Sequence, residues 1–151
     1  MSEKVTFKGV VAVTGAYTND AGEVELKTSE ELKKSVEKQP DIPVLLGHNG
    51  PEIGVVTQTW NNTQRKAEGV FTLDKGKLPQ HMLEKMERGE EIAISAKYEF
   101  AEKINGIMTD IEYRHVAILV SENPKCALGQ CGVNVGIDRI FKVTLVDNRI
   151  R

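Results

Sequence analysis

Three residues spread along the chain carry side chains that together could activate a hydroxyl group. His48 lies in LLGHNGPEIG, Ser95 in EIAISAKYEF and His115 in YRHVAILV. A serine hydroxyl is a poor nucleophile at its ordinary pKa, so it needs an adjacent base, and the base needs a third group that fixes its tautomer. Imidazole suits the base because its pKa lies near neutrality, and a second histidine can hold the first through an N–H to N hydrogen bond. The residue types are compatible with a serine–histidine–histidine triad if the fold brings them together.

Ser95 and His115 fall in two segments that read as strands, and side chains alternate across a strand. In 91–100 the even positions are apolar, so Ser95 is predicted to point away from the core layer. In 107–119 the odd positions share a face with His115, which places it where a half-exposed strand enters the core. The simpler alternatives are a solvent-facing serine and a core histidine tied to a backbone carbonyl.

The third candidate, His48, follows a short apolar strand predicted at 42–47 and stands among glycines. Such a loop can bring an imidazole close to a neighbouring strand and leave it mobile enough to act. The alternative is a turn residue beside Asn49-Gly50-Pro51. His81 follows Pro79 in the first turn of a predicted helix, so we expect it to be exposed and assign it no role.

The elements that must position these residues predict a mainly β, α+β fold in a single domain, 1–151. The strand count and spacing favour a closed or nearly closed β-barrel of about seven strands with two or more helices packed outside. Strands are predicted at 5–18, at 42–47 and within 133–148, and hairpins at EIGVVTQTW/AEGVFTL and EIAISAKYEF/IMTDIEYRHVAILV. A helix is predicted at 28–39, because Thr28 or Ser29 can cap its start and Pro40 follows its end. A second helix is predicted at 78–89, where Gly89 ends it.

The net charge, the apolar runs and the cysteine content of the chain limit the classes of protein to which it can belong. The net charge of −2 argues against a nucleic-acid binder. No apolar run reaches the ~20 residues that span a bilayer, and the N-terminal MSEKVTFKG lacks the apolar core of a signal peptide. Cys126 and Cys131 are too few for a disulfide framework, so a reducing cytoplasm is expected. With His48 and His115 they could bind zinc, but the C-x4-C spacing and the lack of a paired H-x3-5-H count against a metal site.

One long segment resembles the head-maturation (prohead) proteases of tailed bacteriophages. It covers approximately residues 42–128 and reads IPVLLGHN…IGVV…GVFTL…LPQHMLEKMERGEEIAISAKYEF…YRHVAILVSENPKC. SAKY and HVAI, with GHN upstream, are its sharpest parts. The same clan includes the herpesvirus assemblins, which use a His–Ser–His triad on a barrel of β-strands wrapped by helices. The resemblance implies that Ser95 is the nucleophile, His48 the base and His115 the second histidine, and we expect no cofactor.

The resemblance also implies a function. It predicts a serine endopeptidase of viral capsid maturation that cleaves segments of the scaffold and major capsid proteins, and itself. Such an enzyme would act in the host cytoplasm inside the immature viral capsid, or be prophage-encoded in a bacterial or archaeal cytoplasm. A homodimer or higher oligomer is compatible with this prediction, whereas nucleic acid and membrane are not expected partners. The alternative is a non-catalytic capsid or scaffold-binding β-barrel module of the same fold.

Two departures from the family pattern leave parts of the site open. The assemblins carry an arginine pair shortly after the second histidine that helps to hold the oxyanion. Here SENPKCALGQCG offers only Lys125, so backbone N–H groups in a loop with Gly129 and Gly132 are the alternative donors. In other phage branches the third group is acidic, which makes Glu112 an alternative orienter. Strict alternation, however, places Glu112 on the opposite face of the strand from His115.

Overall fold

A computed structural model describes residues 3–18, 21–119 and 132–133. The helices are α1 (Ser29–Lys38) and α2 (Gln80–Glu87), with a short 3₁₀ turn at Lys75–Lys77. The strands are β1 (Lys4–Val13), β2 (Gly15–Thr18), β3 (Val24–Lys27), β4 (Asp41–Leu46), β5 (Glu52–Asn61), β6 (Lys66–Asp74), β7 (Ile94–Glu99), β8 (Glu102–Ile104), β9 (Ile107–Thr109), β10 (Glu112–Ile118) and β11 (Gly132–Val133). Within these residues no helix has the length and apolar character needed to cross a membrane.

The main sheet has seven strands in the order β11-β1-β6-β5-β4-β10-β7 and curls into a half-barrel that does not close. β4 and β10 run parallel, and the other neighbours are antiparallel. An isolated bridge between Ile92 and Val133, with two backbone hydrogen bonds of 3.1 and 2.9 Å, links β11 to the segment before β7. The prediction of a mainly β, α+β fold with two helices is confirmed, and the sheet is a half-barrel rather than a closed barrel.

Both helices follow from local sequence signals. The Thr28 hydroxyl accepts the N–H of Glu31 and caps α1, which ends just before Pro40. Gly89 follows α2 with a φ of +82°, a conformation in which glycine is not strained. The apolar face predicted for the helix at 78–89 is buried in the core cluster: it consists of Leu78, which precedes α2, and of Met82, Leu83 and Met86 on α2.

A second, four-stranded sheet, in the order β2-β3-β9-β8, was not predicted. The segment AEKING, which the pattern placed in a loop between β7 and β10, forms most of the β8–β9 hairpin instead. Asn105 and Gly106 both have positive φ, +52° and +84°, which suits the two-residue turn that joins strands with the usual twist. β7 and β10 still pair antiparallel, as predicted, with this hairpin inserted between them.

The small sheet is joined to the half-barrel by a buried lysine. The Lys27 ammonium lies 4.3 Å from the ring centre of Tyr17 and 4.0 Å from that of Tyr98, so it contacts one ring from each sheet. The hydroxyl of Tyr98 also donates to the Glu25 carboxylate at 3.2 Å. Burial lowers the pKa of Lys27 to about 8, although the charge of Glu25 opposes that shift. The contact occupies the core side of β7 and β10 and leaves their opposite face free for Ser95 and His115.

Candidate active site

The three candidate residues lie on adjacent elements, because β10 is flanked by β4 and β7. Ser95 of β7 stands opposite Ala117 of β10, and His115 stands opposite Lys97 of β7. Residues directly opposite each other project from the same face of a sheet, so Ser95, Lys97 and His115 share one face. Ile94, on the other face, is buried in the core, as the alternation in 91–100 predicts.

His115 reaches that face through a β-bulge. The pairing of β10 with β7 runs Tyr113 to Tyr98 and then His115 to Lys97, so Arg114 is an extra residue without a partner in β7. An extra residue reverses the alternation beyond it and can redirect a side chain. Tyr113 therefore lies on the core face and is buried, whereas His115 is half-buried on the face of Ser95. The expectation that His115 shares a face with Tyr113 is wrong for this reason.

His48 is placed by the tight β4–β5 connection. Gly47 has a φ of +77°, and its N–H donates to the Ile118 carbonyl at 3.0 Å, which ties the loop to the end of β10. Gly50 donates back to the Gly47 carbonyl at 3.1 Å. A Cβ at Gly50 would lie 1.6 Å from the Leu46 carbonyl oxygen, so no other residue fits this turn. The glycines that surround His48 in the sequence are therefore the reason that its ring can fold over β7 and β10.

The side chains of the three residues form a continuous hydrogen-bonded chain. His48 Nε2 lies 2.9 Å from Ser95 Oγ, and His48 Nδ1 lies 2.9 Å from His115 Nε2. Both distances are within the working range for proton transfer between a nucleophile, a base and an orienting group. All three side chains are half-buried, so each is partly shielded from solvent and partly accessible. The expected proximity of Ser95, His48 and His115 is confirmed.

Only one direction of hydrogen bonding makes Ser95 a nucleophile. His48 must leave Nε2 without a proton to accept the serine O–H, so its proton is on Nδ1 and is donated to His115 Nε2. His115 must then be neutral, with its own proton on Nδ1. If His115 were an imidazolium, its Nε2–H would donate to His48 and force the proton of His48 onto Nε2. The base would then be blocked.

The surroundings of His115 favour the neutral form. Its pKa is lowered, chiefly by burial of the ring and further by the nearby His48 and the positive charge of Lys97. Lys97 is an exposed residue on β7 directly across from His115. Lys97 is not among the sequence-based candidates, although its position two residues after Ser95, on the same face of a strand, is a signal that could identify it.

Glu112, the alternative orienter, lies on the face of Ser95 but far from the site along β10. Glu112 pairs with Glu99, so the bulge places it on the same face as Ser95, and the prediction of opposite faces is wrong. It lies five positions along β10 from the partner of Ser95, a separation of roughly 15 Å at ~3.3 Å per residue. Its carboxylate is 3.5 Å from the Arg114 guanidinium. His115, and not Glu112, therefore contacts His48.

The other sequence-level candidates have no place in this arrangement. His81 is exposed on α2, as predicted. Among residues 3–18, 21–119 and 132–133, no three His, Cys, Asp or Glu side chains are grouped so as to hold a metal ion. Cys126, Cys131, Lys125 and Gly129, which the zinc alternative and the oxyanion prediction invoke, lie outside the described residues.

The chain matches no family model, and no curated protein matches it significantly. The functional conclusion therefore rests on the geometry of three side chains and on the short motifs that contain them.

Proposed function

We propose that the protein is a serine endopeptidase of viral capsid maturation, with Ser95 as nucleophile, His48 as base and His115 as orienter. The observation that carries the proposal is the unbroken chain of 2.9 Å contacts from Ser95 Oγ through both nitrogens of His48 to His115 Nε2. A serine that only faces solvent needs no such partner, and a core histidine would be tied to a backbone carbonyl. Neither simpler reading accounts for three polar side chains that converge from three separate elements.

The geometry supports acyl transfer in two halves. Ser95 Oγ attacks the scissile carbonyl while His48 Nε2 takes its proton, and His115 accepts the hydrogen bond from His48 Nδ1–H as positive charge develops on that ring. His48 then gives its new proton to the leaving amine, and an ester on Ser95 remains. Water attacks this ester with His48 as base, which releases the new carboxyl end and restores the serine.

A histidine orienter makes this a weaker catalyst than a triad with a carboxylate. A neutral His115 stabilises the imidazolium of His48 by a hydrogen bond but supplies no full negative charge. Slow turnover suits a substrate that is confined with the enzyme, because confinement raises the effective concentration. Segments of scaffold and major capsid protein inside an immature viral capsid, and the protease chain itself, are such substrates.

We also propose that the curled sheet forms a nearly closed barrel in this protein. Val133 pairs with Gly9 of β1 on one side and bridges Ile92 on the other, so the two ends of the curled sheet are one bridge apart.

The oxyanion donors are expected to be backbone N–H groups of the segment that follows β10. A structure with a phosphonate bound to Ser95 tests this expectation, because the phosphonyl oxygen should accept hydrogen bonds from those N–H groups.

The proposal as a whole is tested with a fluorophosphonate probe. Ser95 Oγ should attack the phosphorus, fluoride should leave, and the serine proton should pass to His48, so that the protein gains one phosphonyl group. Intact-protein mass spectrometry followed by peptide mapping should locate the adduct on Ser95. Heat-denatured protein is the control and should not react. Native protein that stays unlabelled, or that is labelled at another serine, would favour the non-catalytic binding module.

Lys97→Gln is expected to make activity more sensitive to acid. Removing this positive charge favours the imidazolium form of His115, so its pKa rises toward the ordinary 6.5 and less of the active tautomer remains near pH 6. The rate of phosphonylation at pH 6 relative to pH 8 should fall, by less than the ~4-fold that restoring the full ordinary pKa of 6.5 would give. An NMR titration of the His115 ring should show the higher pKa directly.

Lys8→Gln is the matched control, because it removes the same charge from an exposed position on β1. It should leave both the rate profile and the His115 titration unchanged. The free energy of unfolding of the wild-type protein should also depend on pH, because the pKa of His115 is lower in the folded protein than in the unfolded chain. Because the native pKa of His115 lies below 6.5, its contribution is complete above that pH and is lost as the pH falls toward the native value. Equal titrations for Lys97→Gln and wild type would contradict the prediction.

A further inference from the structure

Among the residues that the structure describes, β10 has no strand neighbour on the β4 side just where the bulge forms. β4 pairs with β10 from Val116 to Ile118, and no other described strand extends that ladder to the stretch before His115. Backbone groups buried there need other partners, because an unpaired buried N–H or C=O is costly. Tyr113, two residues before His115, is 3% exposed and therefore has this requirement.

The side-chain amide of Gln39 makes the hydrogen bonds to Tyr113 that a neighbouring strand would otherwise make. Its Nε2 donates to the Tyr113 carbonyl at 2.7 Å, and its Oε1 accepts the Tyr113 N–H at 2.9 Å. One amide thus satisfies both backbone groups of one residue, as a paired strand residue would. The two bonds fix the position and the orientation of the peptide units on either side of Tyr113.

Gln39 is itself held firmly. Its N–H donates to the Ser35 carbonyl at 2.8 Å, which places it at the end of α1, and its carbonyl accepts the Gln58 side-chain amide at 3.0 Å. Gln58 is buried on β5, and its own N–H donates to the Pro40 carbonyl at 2.7 Å. The backbone from which the Gln39 amide extends is therefore held both by α1 and by β5, a central strand of the half-barrel.

The position of the bulge decides where the His115 ring points. Arg114 is the extra residue between Tyr113, which Gln39 holds, and His115, which contacts His48. If the extra residue moved one position toward the C-terminal end of β10, it would be His115 itself, and the ring would no longer be held opposite Lys97 on the face of Ser95. We propose that Gln39 is a positioning residue that fixes the bulge and thereby aims His115 at His48. Its meaning for catalysis rests on the proposed function, whereas its effect on the two histidine rings does not.

The experiment compares Gln39→Leu with Ser35→Ala. Ser35 lies on α1, four residues before Gln39, and donates its hydroxyl at 2.9 Å to the carbonyl of Ile111, a buried residue two positions before Tyr113. Each variant removes side-chain hydrogen bonding from α1 to the start of β10, but only Gln39→Leu frees the residue beside the bulge. The readout is the ¹⁵N chemical shifts of the ring nitrogens in histidine-labelled protein, together with the rate of fluorophosphonate labelling. A His81→Gln background removes the third histidine signal.

In wild type we expect the shifts to show one fixed tautomer for His48 and for His115. In Gln39→Leu they should move toward averaged values, and labelling should slow at least 10-fold. Ser35→Ala should keep the wild-type shifts and rate even if it melts earlier. Gln39→Glu, which still accepts the Tyr113 N–H but cannot donate to its carbonyl, should be intermediate and serves if Gln39→Leu does not fold.

Wild-type ring shifts in Gln39→Leu or Gln39→Glu would overturn the proposal, as would an equal disturbance in Ser35→Ala. A wild-type protein that is never labelled would refute the peptidase function alone. The ring shifts would still decide whether Gln39 positions His115.

Discussion

Ser95→Ala is expected to lower cleavage of co-expressed scaffold and capsid segments, and of the chain itself, by at least about 10³-fold. The substitution removes the nucleophile, so what remains is the stabilisation of the transition state by binding and backbone donors. The fold should survive, because Ser95 lies off the core layer and loses one hydrogen bond worth about 1 kcal/mol. The melting temperature should therefore fall by no more than about 2–4 °C. Gel analysis of processing and calorimetry measure the two effects.

Ser29→Ala is the matched control for that variant. Ser29 is also half-buried, and its hydroxyl makes one side-chain hydrogen bond, 3.0 Å to Thr14. It should cost similar stability and no activity. His48→Ala should be nearly as inactive as Ser95→Ala, and the double variant should be no worse than either, because the members act as a unit. Full processing by Ser95→Ala would mean that another nucleophile has to be sought.

Much of the fold could be predicted because local signals agree with the tertiary structure. The Thr28 cap, Pro40 and Gly89 mark the helix ends, and alternation in β6 and β7 matches their burial. The second sheet was missed although Asn105-Gly106 is a strong hairpin signal. The strands on either side of that turn have three residues each, too few for a period of two to be recognised.

The candidate site could be predicted as residue types but not as geometry. A bulge leaves no mark in a pattern of period two, so the sequence placed His115 on the face of Tyr113 and Glu112 on the other. The register was fixed instead by partners distant in sequence, such as Gln39, whose amide bonds Tyr113 from 74 positions away. Residues that act by holding a backbone carry no motif of their own.

His115→Ala should reduce cleavage by roughly 10²-fold, less than Ser95→Ala but far more than its effect on folding explains. Without the acceptor at Nε2, His48 loses the bond that holds its proton on Nδ1. His115 is half-buried, so its removal should cost little stability. His81→Ala, which truncates an exposed histidine on α2, is the control and should change neither quantity.

The discriminating variants are His115→Asp and His115→Glu. A carboxylate that reaches His48 Nδ1 would stabilise the imidazolium better than a neutral ring does, so these variants should be more active than His115→Ala, with glutamate reaching closer to the position of Nε2. Lys97, directly across from position 115, supplies a compensating positive charge. At a purely structural site the same carboxylate would instead be an unpaired, partly buried charge and would destabilise the sheet by several kcal/mol. Cleavage rate and melting temperature measured on the same samples separate these cases. A stable, fully active His115→Ala beside badly destabilised, inactive carboxylate variants would remove His115 from the site and leave His48 without an orienter among the residues that contact it here.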